Sequence, residues 1–144
     1  MSVPVLDIRG LRVAFDGEDG PVRAVEDVSV SVAPGETVCV VGESGSGKSV
    51  TSLSVLRLVE FGGGRIEAGR IAFTRPDGDV LVVETADAET MQDIRGNEIG
   101  MIFQEPMTSL NPVMTIERQM TDGLRLHLGL SAAEARGRAI ELLG

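Results

Sequence analysis

The eight residues Gly42-Glu43-Ser44-Gly45-Ser46-Gly47-Lys48-Ser49 constrain this chain more than any other stretch. They match G-x-x-x-x-G-K-[ST] at every fixed position, a pattern with a physical reason for each residue type. The β- and γ-phosphates of a nucleotide need many donors converging on one small volume. Glycines let the backbone curl until successive N–H groups point inward, with no Cβ in the way. The helix that follows offers its first free amides to the same anion. Lys48 then reaches the β/γ oxygens, and the Ser49 hydroxyl is a ligand for Mg²⁺. A chance match at average composition arises in about half a percent of chains this long.

The surroundings are those the motif requires. Thr37–Val41 is a short β-branched, uncharged run and is expected to be a buried strand feeding the loop, with Cys39 a small apolar residue within it. Lys48–Glu60 holds no Gly or Pro and is apolar around most of its circumference, so it is expected to be one largely buried helix, stopped by Gly62-Gly63-Gly64. Upstream, Val5–Phe15 and the alternating Val28, Val30 and Val32 read as strands around the Gly17/Gly20 turn. Downstream, strands are expected at Gly69–Thr74, Val80–Glu84 and Ile99–Phe103, and helices at Ala86–Arg95, Thr115–Leu128 and Ser131–Leu143. Ser131 and Glu134 of the last helix stand in capping-box spacing.

Composition narrows the function classes. The 144 residues carry 13 Lys+Arg against 22 Asp+Glu, a net charge of −9, and only 3% aromatic residues. Neither the basic patches that neutralise nucleic-acid phosphates nor the rings that stack single-stranded bases are well supplied, so no nucleic acid is expected as a partner. One cysteine and one histidine, Cys39 and His127, rule out an internal disulfide and any site needing two of either type. No window approaches the roughly 18 apolar residues of a membrane span, and Met1–Gly10 lacks a signal-peptide core. A cytoplasmic location is expected, with any membrane role peripheral.

Two blocks together carry a family resemblance. Gly42–Ser49 is the Ser/Gly-rich form of the loop found in ATP-binding subunits of ABC transporters, and Ala24-Val25-Glu26-Asp27-Val28-Ser29 with Pro34-Gly35-Glu36-Thr37 resembles the strand and turn preceding it there. Arg95–Pro112, containing Ile102-Phe103-Gln104-Glu105-Pro106, resembles the Q-loop region of the oligopeptide, dipeptide and nickel importer branch. The resemblance extends from about Leu6 to Leu143.

It implies an α/β fold: a P-loop NTPase core of ABC type, with an N-terminal antiparallel β portion, truncated at the start of the helical subdomain. Residues 1–114 would be the N-terminal part of the ATP-binding core and 115–144 the incomplete start of the helical subdomain. Gly42 to Ser49, each residue of the loop, would bind ATP. Lys48 and Gln104 would serve catalysis, Ser49 and Gln104 would hold Mg²⁺, and Phe15 would stack on adenine with the hydroxyl of the family's usual Tyr missing. Transmembrane permease subunits and a second ATP-binding subunit are the implied partners, at the inner face of the cell membrane.

The family's Leu-Ser-Gly-Gly-Gln segment, its Asp-Glu pair and its switch histidine have no counterpart in these 144 residues. The chain is therefore expected to be an N-terminal fragment of a subunit that couples ATP binding and hydrolysis to import, of peptides in that branch, and residues 1–144 alone are expected not to turn over ATP. A non-catalytic nucleotide-binding module, or another P-loop NTPase such as a kinase or GTPase, is the alternative reading.

Overall fold

The computed structural model describes residues 3–104 and 110–144. They form two units, Met1–Gln92 and Asp93–Gly144.

The first unit is built on an antiparallel sheet of four strands in the order β2-β1-β3-β4, where β1 is Leu6–Gly17, β2 Gly20–Val32, β3 Gly64–Thr74 and β4 Val80–Val82. β1 and β2 form a hairpin whose apolar residues break strict alternation. Ile8 and Leu11 are three apart yet both buried, at 2% and 0% exposure. An extra residue on β1 between them, at Arg9–Gly10, restores the inward face, and Gly10 takes a positive φ of 58° there. β2 carries a compensating irregularity in which Asp27 has φ 54°. Past β4, the Glu84 carboxylate accepts the Ile71 amide proton at 3.0 Å, closing a donor that the three-residue strand leaves open.

Helix α1, Lys48–Val55, packs against β1 and β2, burying Thr51, Ser54 and Val55. The expected helix to Glu60 is interrupted. Leu56 ends α1, Arg57 adopts φ 52°, and a 3₁₀ turn runs over Leu58–Gly62. Arg57 explains the break: its guanidinium donates to both Glu60 carboxylate oxygens, at 2.7 and 3.0 Å, and to the Ala86 carbonyl at 2.6 Å. These charge-assisted bonds offset the left-handed backbone. A short helix α2, Ala88–Ile94, is capped by Asp87, whose carboxylate accepts the Thr90 amide proton at 2.7 Å. That bond holds the Asp87 carboxyl below its ordinary range.

Two strand expectations are not met. Thr37–Val41 runs without regular structure, and Val38, Val40 and Val41 are 37%, 57% and 89% exposed. Cys39 is exposed, not buried as expected. Ile99–Phe103 is likewise no strand: it contributes one isolated bridge, Arg95 to Ile99, while Ile102 and Phe103 stand exposed. Among the described residues, neither run is paired along its length, and an extended segment becomes a strand only through a paired neighbour.

In the second unit, α3 (Ile116–Leu128) and α4 (Ala132–Leu143) pack together. Ala135 and Ala139 are the buried residues of α4, and Arg136 pairs with Glu117 across the two helices at 3.3 Å. Thr115 caps α3, and Ser131 with Glu134 forms the full capping box on α4. The Ser131 hydroxyl and amide hold the Glu134 carboxyl below its usual range. Gln119 binds Asn111 and the Met114 carbonyl, tying residues 111–114 to α3.

Candidate functional site

The loop between residues 42 and 47 is a curled backbone with a lysine folded over it. Gly45 and Gly47 have φ of +82° and +87°, a region L side chains rarely occupy. A Cβ on Gly42 would lie 2.6 Å from Ser46 Oγ, a contact that rotation of the Ser46 side chain relieves. The Ser46 amide donates to the Glu43 carbonyl at 3.3 Å, closing the turn. Lys48 Nζ donates to the carbonyls of Gly42 at 2.7 Å and Glu43 at 2.6 Å and reaches Ser46 Oγ at 3.3 Å. The ammonium is thereby held above the loop by bonds within the loop itself. This orientation is set before any ligand arrives, which lowers the entropy cost of using it.

The start of α1 is left open for an anion. Gly47 is its N-cap and supplies no side-chain cap, and no acidic residue lies in the first turn. The free amides and the positive end of the helix dipole therefore remain available. Thr51 is turned to the helix side, its amide and hydroxyl both donating to the Gly47 carbonyl at 2.8 and 3.0 Å. The resulting pocket, about 130 Å³, is lined by Ala24, Gly45, Ser46, Gly47, Lys48, Ser49 and Val50. That volume suits phosphate groups; whole small-molecule sites run to roughly 300–1,000 Å³, so a nucleoside would extend outside it.

Gly45 to Ser49 thus meet in one pocket, and Gly42 and Glu43 adjoin it through the lysine bonds. Ser44 is an exposed turn residue of the same loop. Phe15 lies elsewhere on the sheet, half-buried on β1 opposite Val22 of β2 and Gly64 of β3. Its ring is pressed to the Gly64 backbone, since a Cβ on Gly64 would lie 2.7 and 2.8 Å from ring atoms Cε1 and Cζ. Gly64 therefore serves close approach to Phe15 and not only helix termination. Near that ring, Asp16, Arg65, Glu67, Arg23 and Glu26 form a chain of exposed ion pairs across β1, β3 and β2.

Gln104 belongs to the second unit, where it is exposed in a bend. Glu105–Ser109, the residues after it in the Q-loop-like block, lie outside the described residues. Met101 is half-buried. His127 is half-buried on α3, its Nε2 3.3 Å from where a Gly96 Cβ would stand. Among the described residues no group of three His, Cys, Asp or Glu side chains is placed to hold a metal. A cation here would be shared between a ligand's phosphates and a neutral oxygen such as Ser49 Oγ, the usual arrangement for Mg²⁺. Nor, among them, is any helix long and apolar enough to cross a membrane. Sequence reasoning missed Ala24, which lines the pocket from β2, because nothing in one strand's composition shows which loop it will face.

The chain is similar to known proteins in sequence and in fold. The family profile described as ABC transporter matches residues 25–143. A Brucella melitensis protein named as a peptide import ATP-binding protein is 54% identical over 140 residues, 97% of this chain and 41% of its own length. A Salmonella typhimurium protein named glutathione import ATP-binding protein is 45% identical over 142 residues, 99% of this chain and 23% of its own length. The chain therefore spans about two-fifths, or less, of these relatives. A solved dimeric ATP-binding cassette, in a post-hydrolysis state with ADP and Pi, superposes with TM-score 0.75 at 23% identity, covering 94% of this chain and 54% of the other. The fold is shared with that cassette, and with a matched profile over most of its length the chain belongs to the ABC transporter family.

Proposed function

We propose that this chain is the ATP-binding part of a subunit that couples ATP binding and hydrolysis to solute import, with peptides as the solute class. The observation that carries the reading is Lys48 held over an uncapped helix start by the Gly42 and Glu43 carbonyls. The names of the relatives support the solute class. In this reading Gly42–Ser49 cradles the phosphates: the amides of Gly45 to Ser49 donate to their oxygens, Lys48 neutralises the β/γ region, and Ser49 offers a hydroxyl to Mg²⁺. The pocket fits such a group because its donors are backbone N–H groups and one cation, with no carboxylate among its lining residues. Mg²⁺, when bound, neutralises charge on the β- and γ-phosphate oxygens. Phe15 serves the adenine end, and Gln104 supplies a neutral oxygen to the metal or to the attacking water. Permease subunits and a second ATP-binding subunit complete the assembly at the cytoplasmic face of the membrane.

Hydrolysis needs a positioned, activated water as well as held phosphates. No Asp-Glu pair occurs in these residues, so residues 1–144 by themselves are expected to show no ATPase activity above a Lys48→Ala control at saturating MgATP. In the assembled transporter, Gln104→Ala is expected to leave MgATP affinity within about twofold, because one neutral ligand among several contributes little, and to lower solute-stimulated ATP turnover. Paired binding and transport assays check this; a variant with full coupled turnover refutes the role of Gln104.

A further inference from the structure

We propose that Ala24 is a positioning residue of the nucleotide site: the unpaired residue of a β-bulge that seats the last P-loop glycine and walls the phosphate pocket. The inference rests on the P-loop reading above and adds a residue from a different element.

The bulge follows from the strand register. On β1, Val13 and Ala14 are consecutive, but their partners on β2 are Val25 and Arg23. Ala24 is the extra residue, facing no Cα partner on β1. In such a bulge the inserted residue leaves the ladder and its backbone groups are re-aimed. Here β2 is also the outer strand of the sheet, so its far edge is not taken by another strand.

What that edge meets is the P-loop. A Cβ built on Gly47 would lie 2.6 Å from the Ala24 carbonyl oxygen, 3.7 Å from its carbonyl carbon and 3.2 Å from Val25 Cγ2. Gly47 is therefore glycine on two counts, its φ of +87° and its seat on the Ala24 peptide. Ala24 is also the one pocket-lining residue that does not come from the 45–50 segment. Its neighbours fix it from both sides. Val25 is sunk in the core at 4% exposure, and Arg23 pairs with Glu67 at 3.2 Å and Glu26 at 3.8 Å. Ala24 stands half-buried at the wall of the pocket of about 130 Å³, so a larger side chain at position 24 competes for that volume.

Small side chains at this position should be neutral and large ones should exclude the phosphates. The test uses the full chain with MgATP as the probe, read by titration calorimetry, alongside melting without nucleotide. Variants are Ala24→Gly, Ala24→Ser, Ala24→Val and Ala24→Leu, with Lys48→Ala as the site control. We expect Gly and Ser within about twofold of the parent and Leu weaker by about tenfold or more, at unchanged nucleotide-free melting, in line with overpacking of a well-filled space. Affinity falling with side-chain size at constant melting supports the proposal. Melting that falls with size while affinity in the folded variants stays constant overturns it, as does Ala24→Leu binding like the parent while Lys48→Ala does not. If Lys48→Ala also binds like the parent, the P-loop reading itself falls, and this proposal with it.

Discussion

Lys48→Ala is expected to weaken MgATP binding by roughly ten- to a hundredfold while leaving the fold in place. Hydrogen bonds from a charged donor contribute about 1.5–3 kcal/mol, and about 1.4 kcal/mol is tenfold in affinity. The ammonium is the only cation in the pocket lining. Its removal leaves the amide cradle intact, so binding is weakened without the site being erased. The Gly42 and Glu43 carbonyls that Lys48 now engages lie on an exposed loop, where water takes over as donor and the stability cost stays small. Lys48→Arg should not rescue binding, because a planar fork cannot place one point charge between two carbonyls and a phosphate. Calorimetric titration of parent and both variants checks this; superimposable MgATP curves for parent and Lys48→Ala would sink the nucleotide assignment.

The largest stability effect is expected far from that loop, at Gly69→Ala. Gly69 has φ +100°, and its missing Cβ would meet the Gly10 carbonyl oxygen and Leu11 Cα at 2.6 Å and the Gly10 carbonyl carbon at 2.7 Å. All three neighbours are backbone of the adjacent strand, so no rotamer change relieves the collision. Strain of this kind costs about 1–3 kcal/mol by itself, and the collision adds to it, for an expected total of about 3 kcal/mol or more. A whole domain is stable by only about 5–15 kcal/mol. Gly78→Ala separates the two contributions: its φ is +93°, but nothing lies within 4 Å of the new methyl group. It should lose about 1 kcal/mol. Denaturant melts of both variants in the full chain give the comparison, and a parent-like midpoint for Gly69→Ala would contradict the close crossing of β1 and β3.

These cases show which parts of the molecule the sequence discloses. The P-loop was legible because most of what shapes it is local: glycines at positive φ, a lysine on the next helix, a helix start without a cap. The cap on α4 was legible for the same reason, since Ser131 and Glu134 act within their own first turn. Register was not. The irregularities at Gly10, Ala24 and Asp27 are properties of strand pairs, and no single strand's pattern announces them. Arg57 was hidden because its left-handed backbone depends on the Ala86 carbonyl, 29 residues away. Thr37–Val41 was misread because β-branched composition describes a residue's fitness for a sheet and says nothing of whether a neighbour is present. The resemblance supplied what locality could not, namely the notice taken of Gln104, an otherwise ordinary exposed glutamine.

The uncovered run before the P-loop bears on how this protein behaves while folding. Thr37-Val38-Cys39-Val40-Val41 is uncharged, free of proline and rich in β-branched residues, the composition that stacks into intermolecular cross-β whenever it lies open. Its flanks are of another kind: Pro34 and Glu36 stand before it and Glu43 just after. Such residues act as gatekeepers, proline by refusing a ladder hydrogen bond and carboxylates by repelling their own images in a neighbouring chain. The segment that leads the backbone into its phosphate site therefore also has the composition to draw partly folded copies together, and Glu36 and Glu43 place negative charge at its flanks to oppose this.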